Sequence, residues 1–204
     1  MAETKHVEPQ TLASLIDGKL AWEEVKKLLR LDPKDADRFQ VYRKLLQERV
    51  PWREPVLLRL ADHLYIVRTN DGRRVVRCDC GFEFGDYREN WKLAANVHVR
   101  TTKEEFREVY QLDTACPEPG LIEIREFYCP GCWAQLAVEC TPPGTMAVFE
   151  MLPDLDAFYR EWLAEPLADE SPDWFRDRTN EVTARWRSEA PCAAAAGPRK
   201  ESPR

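Results

Sequence analysis

The chain has 204 residues, of which 44% are hydrophobic and 32% are charged. This composition is typical of a soluble globular protein and excludes wholesale disorder. The formal net charge of −6 disfavours a general nucleic-acid binder, because such proteins are usually basic. No run approaches the roughly 18–20 apolar residues of a membrane span, and the N-terminus has no apolar signal-peptide core, so we expect neither membrane insertion nor export.

The short motifs of several enzyme classes are missing from the chain. It holds no GxGxxG or Walker A loop for a nucleotide, no HExxH helix for a catalytic metal and no GxSxG elbow for a serine nucleophile. The seven cysteines, in a chain without an export signal, favour metal binding in a reducing compartment over a disulfide framework. We assign no catalytic residue and no cofactor-binding residue.

Apolar residues recur with helical spacing along the first fifty residues. Asp32 suits an N-cap, and Pro33 suits the first helical position, where its missing N–H would be unpaired in any case. The predicted helices are 9–16, 21–31 and a third that begins at this Asp-Pro pair. We expect 1–55 to form a helical N-terminal arm or subdomain.

From about residue 57 the pattern changes to strands. The turn at Asn70-Asp71-Gly72 favours a hairpin, since these residues tolerate positive φ. Thr102 and Glu105 predict the capping box of a short helix that ends near Tyr110. The predicted strands are 64–67, 75–76, 95–100, 121–128 and 135–141. We expect 56–150 to form an antiparallel β-domain.

Two further helices are predicted after the β-domain, at 154–163 and from 171 to about 187. They make up a C-terminal helical segment, 151–188. The tail 189–204 is rich in alanine, proline and charge, and we predict that it is disordered. The predicted fold class is therefore α+β, a zinc-ribbon-like antiparallel β-domain flanked by N-terminal and C-terminal helices.

Two cysteine pairs carry the strongest chemical signal in the chain. The first pair is Cys78-Asp79-Cys80-Gly81 and the second is Cys129-Pro130-Gly131-Cys132, and each follows a predicted strand. In a zinc ribbon two such knuckles each donate two thiolates, which suits the preference of Zn²⁺ for four tetrahedral ligands. The predicted metal ligands are Cys78, Cys80, Cys129 and Cys132. A site closed by four thiolates is structural, because catalysis needs an open coordination position.

The spacing of the two pairs departs from that of a compact ribbon. A single residue separates the first two cysteines, and 48 residues lie between the pairs, against roughly 12–20 in compact ribbons. Two alternatives stay open: Cys116 or His98 replaces one ligand, or the cysteines are buried without a metal. Cys140 alternates with an apolar neighbour and is predicted to lie in the core.

Arginine and aromatic side chains interleave around the first cysteine pair. This pattern occurs both on nucleic-acid-binding surfaces and in protein interfaces. Acidic residues interrupt the positive charge, so we favour a protein interface. The string His6-Val7-Glu8 lies too far from Cys129 for the ligand set of a zinc deaminase, and the second pair sits between strands, unlike a thioredoxin dithiol.

Two stretches resemble a known family. The segment 76–92 (VRCDCGFEFGDYRENWK) resembles the first half of the gamma-subunit family of acetone carboxylase, and 122–132 (IEIREFYCPGC) resembles its second half. The resemblance spans 64–163. Related subunits occur in acetophenone carboxylase, and the chain is compatible with either type.

The resemblance implies a small zinc-binding subunit of a bacterial cytoplasmic complex. Such complexes carboxylate acetone or acetophenone with bicarbonate and ATP to a β-keto acid, and so act as C–C bond-forming ligases. The resemblance places the chemistry, ATP and a divalent metal on larger hydantoinase-A-like and hydantoinase-B-like partner subunits, and no complete active site on this chain. The resemblance implies that Cys78, Cys80, Cys129 and Cys132 of this chain are the zinc ligands. No nucleic acid and no membrane is expected as a partner.

Two competing hypotheses remain. The first is a stand-alone zinc-ribbon module that binds nucleic acid or other proteins. The second is a thiol redox protein that would cycle a Cys129–Cys132 disulfide. The long helical N-terminus and the tryptophan-rich C-terminal segment exceed the core of the resembled family, and the sequence leaves their role, the ketone and the stoichiometry open.

Overall fold

A computed structural model describes residues 6–31, 35–110 and 115–189, with side chains up to 186. The helices are α1 (Pro9–Ile16), α2 (Trp22–Arg30), α3 (Arg38–Gln47), α4 (Lys103–Val109), α5 (Leu155–Ala157) and α6 (Thr179–Glu189). The strands are β1 (Val56–Ala61), β2 (Leu64–Arg68), β3 (Arg74–Cys78), β4 (Glu83–Asp86), β5 (Asn96–Arg100), β6 (Glu123–Tyr128) and β7 (Gln135–Thr141). This mixture confirms the predicted α+β class.

Some predictions fall on parts of the chain that these ranges leave out. The N-cap and first turn at Asp32 and Pro33 lie outside the described residues, as does the tail from residue 190 with its Cys192. The division of the chain into four segments stays a prediction. Among the described residues, no helix is both long enough and apolar enough to cross a membrane.

The strands form two antiparallel sheets. The four-stranded sheet has the order β1-β2-β3-β4, and the three-stranded sheet has the order β5-β6-β7. The predicted hairpin joins β2 to β3, where the Thr69 N–H donates to the Arg73 carbonyl at 2.9 Å. Gly72 adopts the positive φ, +84°, that this turn requires. All residues of β3 and the first four of β2 are buried.

The three-stranded sheet carries the predicted capping box in the connection from β5 to β6. The Thr102 side chain accepts from the Glu105 N–H, while the Glu105 carboxylate accepts from the Thr102 N–H. Two backbone N–H groups at the start of the helix, which have no partner within the helix, are thereby hydrogen-bonded. α4 then buries Phe106 completely. A 3₁₀ turn at Trp91–Ala94, which the periodicity of the sequence does not indicate, precedes β5.

The C-terminal segment is more broken than the sequence predicts. The helix expected over 154–163 is α-helical at α5 and continues as a π-helix at Phe158–Trp162. The helix expected from residue 171 is a 3₁₀ turn at Pro172–Phe175 followed by α6. Arg176 is extended and ends the 3₁₀ turn, and the Asp177 side chain accepts from the Thr179 N–H at the start of α6. One predicted helix is therefore two elements.

Aromatic side chains of this segment anchor it to the four-stranded sheet. The Tyr159 hydroxyl donates to the Leu57 carbonyl at 2.8 Å. The guanidinium carbons of Arg74 and Arg88 each lie 4.5 Å from the centre of the Trp174 ring. These contacts place residues from 57 to 174 around one hydrophobic core that both sheets share.

Candidate metal centre

The first cysteine pair lies in the tight connection between β3 and β4. Cys78 is the last residue of β3, and its N–H donates to the Phe82 carbonyl at 2.9 Å. The Gly81 N–H donates back to the Cys78 carbonyl at 2.9 Å, and Gly81 has a φ of +102°, which a residue with a side chain rarely adopts. The indole N–H of Trp52 donates to the same carbonyl at 3.2 Å and braces the turn.

The second pair lies in the matching connection between β6 and β7. The Cys129 N–H donates to the Ala134 carbonyl at 2.9 Å, and the Trp133 N–H donates to the Cys129 carbonyl at 2.8 Å. Trp133 closes this turn with a φ of +62°, an unusual value for an aromatic residue. The Gly131 N–H points at the Cys129 sulfur at 3.4 Å, as backbone amides around a thiolate do.

The fold brings the four predicted ligand sulfurs together. All of them lie within 4.8 Å of one another. The Sγ atoms of Cys78 and Cys132 are 3.7 Å apart, and those of Cys80 and Cys129 are 3.6 Å apart. Each close pair therefore joins one cysteine from each turn, at a separation well above the roughly 2.05 Å of a disulfide bond.

These distances suit a tetrahedral zinc ion. Sulfurs that lie about 2.3 Å from a tetrahedral centre lie about 3.8 Å from one another. Gly131 supplies the room for this approach, because a Cβ at its position would lie 3.1 Å from both the Cys80 sulfur and the Phe82 Cβ. The donor set, the spacing and the glycine all fit a metal held by four thiolates.

The two halves of the cysteine group differ in exposure. Cys78 and Cys129 are fully buried, whereas Cys80 and Cys132 are exposed. Burial raises the pKa of the Cys78 thiol, so a metal ion must displace a tightly held proton there. Between the first two cysteines, Asp79 contacts Nδ1 of His63 at 2.6 Å.

The remaining candidate ligands do not join the group. Neither Cys116 nor His98 is among the four residues whose ligand atoms cluster, and His98 is exposed on β5. The prediction that Cys140 lies in the core is wrong, because Cys140 is exposed on β7. Strict alternation along a strand identifies the two faces but does not show which of them is covered.

A second grouping of possible ligand atoms comprises His6, Asp35 and Asp37. Asp35 is buried and already forms an ion pair with Arg38, and it also accepts from the Val7 N–H at 3.3 Å. His6 and Asp37 are both exposed. The Asp35 carboxylate thus ties the start of the described chain to α3, and these contacts already account for it.

The arginines around the first cysteine pair are occupied by carboxylates. Arg77 pairs with Glu54 at 2.9 Å and with Glu83 at 3.0 Å. Arg88 pairs with Asp86 at 2.6 Å. Because these arginines already pair with carboxylates, the arrangement favours a packed protein surface over a phosphate-binding surface.

A known protein family matches the part of the chain that holds this site. The model of the family described as acetone carboxylase gamma subunit matches residues 50–163. The chain belongs to this family. The match contains all seven described strands and both cysteine pairs, whereas α1 to α3 precede it and α6 follows it. The matched region therefore contains the two sheets and the cysteine group of this chain.

Two relatives carry descriptive names. The chain is 38% identical to the acetone carboxylase gamma subunit of Xanthobacter autotrophicus over 159 residues, which cover 78% of this chain and 94% of the relative. It is 32% identical to the acetophenone carboxylase beta subunit of Aromatoleum aromaticum over 80 residues, 39% of this chain and 62% of that relative. Both relatives are named as subunits of carboxylases.

Proposed function

We propose that the protein is the small zinc-binding structural subunit of a multi-subunit, ATP-dependent ketone carboxylase. The observation that carries the proposal is the group of four cysteine sulfurs within 4.8 Å of one another, inside the part of the chain that matches the gamma-subunit family. Zinc held by four thiolates has no open position for substrate or water, so its role here is structural.

The zinc ion acts as a clasp between the two sheets. Cys78 and Cys80 belong to the turn after β3, and Cys129 and Cys132 belong to the turn after β6. One ion thus fixes two hairpins of different sheets, whose cysteines are far apart in sequence. Structural zinc contributes on the order of 10 kcal/mol to the folding of small modules.

The carboxylation chemistry belongs to larger partner subunits of the hydantoinase-like type. These subunits bind ATP, a divalent metal, bicarbonate and the ketone, acetone or acetophenone, in the bacterial cytoplasm, and the complex forms the new C–C bond. The names of both relatives as carboxylase subunits support a place for this chain in a multi-subunit carboxylase. Exposed tryptophans, among them Trp22, Trp133 and Trp162, supply surface for contacts between subunits.

Co-expression of the tagged chain with the larger subunits tests the proposal. We expect one zinc per copy of this chain, a stable complex, and ATP hydrolysis that requires both a ketone and the complex. Cys129→Ser should abolish zinc binding and assembly, whereas Cys140→Ser, a matched change at an exposed cysteine outside the group, should leave both intact.

Three results would contradict the proposal. They are a chain that hydrolyses ATP alone, a wild-type chain that forms no complex with the larger subunits, and a Cys129→Ser protein that is folded and zinc-replete. Salt-dependent binding of an oligonucleotide by the isolated chain would support the nucleic-acid module instead.

A further inference from the structure

Two of the four grouped cysteines are open to solvent and two are not. Cys80 and Cys132 are exposed, whereas Cys78 and Cys129 are fully buried. Oxidation of a cysteine by a hydroperoxide requires a thiolate that the oxidant can reach. A bound zinc ion keeps all four sulfurs as thiolates, so exposure decides which of them an oxidant meets first. The two exposed cysteines are therefore the points of attack.

Hydrogen bonding adds to this difference between the cysteines. The Gly131 N–H points at the buried Cys129 sulfur at 3.4 Å. Within the described parts of the chain, no backbone N–H donates to the sulfur of Cys80 or of Cys132. A hydrogen bond to a thiolate stabilises its charge and makes it a weaker nucleophile. The exposed sulfurs lack this protection.

Each exposed sulfur has a buried sulfur of the other turn beside it. The Sγ atoms of Cys80 and Cys129 are 3.6 Å apart, and those of Cys132 and Cys78 are 3.7 Å apart. These two contacts use each of the four cysteines once. Because a disulfide bond is roughly 2.05 Å long, each pair has to close by about 1.6 Å. The buried cysteine of each pair is thus placed to react with its exposed partner after oxidation.

We propose that the cysteine group is a site of reversible oxidation by hydroperoxides. Cys80 and Cys132 are attacked first, and disulfides then form from Cys80 to Cys129 and from Cys132 to Cys78. The inference rests on the proposed zinc site, since oxidation and metal binding compete for the same sulfurs. It differs from a redox protein that cycles a Cys129–Cys132 disulfide, because both bonds join one turn to the other.

The chemistry of each pair consumes one hydroperoxide, of which hydrogen peroxide is the simplest. The exposed thiolate attacks one peroxide oxygen, the O–O bond breaks and hydroxide leaves, which gives a sulfenic acid. The buried thiolate then attacks the sulfenic sulfur, so that the S–O bond breaks, the S–S bond forms and a second hydroxide leaves. Two protons from solvent convert both hydroxides to water. Two thiolates have then lost the two electrons that the peroxide gained.

The oxidised cysteine group loses its metal affinity but still joins the two sheets. After the first disulfide two thiolates remain, too few for the four ligands of a structural zinc site, and after the second disulfide none remains. Both disulfides link the turn after β3 to the turn after β6. A disulfide within one turn would leave the two turns unconnected. Oxidation therefore replaces the zinc clasp with a covalent link between the same turns.

Peroxide treatment of the full chain with its zinc bound tests the inference. We expect hydrogen peroxide to release the zinc, and dithiothreitol with added zinc to restore it. Trypsin, which cuts after arginine, yields the fragments 78–88 and 126–160, and mass spectrometry should find them covalently linked after oxidation. A second cleavage before Asp79 separates Cys78 from Cys80 and identifies the partner of each.

A control variant keeps only the four grouped cysteines. It carries Cys116→Ser, Cys140→Ser and Cys192→Ser, and it should bind one zinc, consume two equivalents of peroxide and form the same linked fragments. Hydrogen exchange distinguishes the two disulfides from simple loss of the metal. The amides of β6 should keep their protection in the oxidised chain, but should lose it when a chelator removes zinc from the reduced chain.

The outcomes separate the oxidation site from the proposed function. A chain that binds no zinc even when zinc is supplied overturns both. Three results overturn the oxidation site alone: zinc that stays bound in excess peroxide, zinc release with a disulfide confined to 126–160, and sulfinic acids at Cys80 and Cys132 without linked fragments.

Discussion

The two sheets of the molecule differ in how much of their length is buried and in the interactions that stabilise them. In the four-stranded sheet, β2 and β3 are buried along nearly their whole length. In the three-stranded sheet, β5 has no buried residue and β7 has two, Glu139 and Thr141, both polar. Apolar burial runs along both inner strands of the first sheet, whereas in the second it is concentrated in the central strand β6, at Ile124 and Phe127, and is supplemented by ion pairs and the cysteine turn.

A buried lysine in the 3₁₀ turn before β5 connects β7 to the segment that follows it. The Lys92 ammonium contacts the Glu139 carboxylate at 2.6 Å, the Val148 carbonyl at 3.1 Å and the Glu150 carboxylate. Such a cluster specifies one arrangement of the segment after β7, but it contributes less net stability than apolar packing of the same volume. A metal bound by the four cysteines would add a link between the two sheets beyond the hydrophobic core that they share.

Removal of the metal should destabilise the three-stranded sheet much more than the four-stranded sheet. Because structural zinc contributes on the order of 10 kcal/mol in small modules, a chelator should strip amide protection from β5, β6 and β7. The amides of β2 and β3 should keep most of their protection, since their burial does not require the metal. Hydrogen exchange measures both. Simultaneous loss of protection in both sheets, or no loss in either, would contradict the comparison.

Loss of a charge from the four-stranded sheet should be the next largest effect. Arg74 is fully buried and lies 2.7 Å from Asp156 and 3.3 Å from Asp169. Arg74→Met leaves these carboxylates without their cation and should lower the free energy of unfolding by about 3–5 kcal/mol.

The neighbouring Arg73 is the matched control, because it is exposed and its partners are open to water. Chemical denaturation of Arg73→Met should give nearly wild-type stability. If both arginine variants lost the same free energy of unfolding, burial of the Arg74 cluster would not explain its contribution to stability.

Loss of the buried Lys92, which lies in the 3₁₀ turn before β5, should lower stability less than loss of Arg74. Lys92→Met leaves Glu139 buried, yet Glu150 can turn to water, so we expect a loss of about 2–3 kcal/mol. The double variant Lys92→Met with Glu139→Gln should recover part of this loss, because no buried charge remains. Additive losses in that double-mutant cycle would rule out a direct coupling of the two side chains.

The smallest predicted effect concerns Tyr87. Its hydroxyl donates to the Trp174 carbonyl at 2.5 Å, and Tyr87→Phe should cost about 1 kcal/mol. Burial raises the pKa of Tyr87 to about 12. The unfolded chain then loses this proton at lower pH than the folded chain, so stability should fall as pH rises from about 10 to 12. If the Tyr87→Phe protein lost the same stability over that pH range, the loss could not come from ionisation of Tyr87.

Much of the fold could be predicted because its signals are local. The apolar spacing after Pro9 gives the bounds of α1, and Thr102 with Glu105 gives the start of α4. The cysteine pairs could be recognised because each sits in a short turn after a strand with glycine beside it. Pairing of one cysteine from each turn, by contrast, depends on the packing of the two sheets.

Other features depend on contacts that no local pattern reveals. The burial of Arg74 arises from Asp156 and Asp169, which lie more than eighty residues away in the chain. β4 escaped prediction because Gly85 and Glu83 interrupt the apolar pattern of so short a strand. The exposure of Cys140 reflects which face of the sheet is covered, which is a property of the whole fold.

X-ray absorption at the zinc edge, together with metal analysis, on the chain purified without added metal tests the four-thiolate zinc site directly. We expect one zinc ion per chain, with four sulfur ligands at about 2.3 Å and no nitrogen ligand. A shell with fewer sulfurs, or a folded chain without stoichiometric zinc, would contradict it.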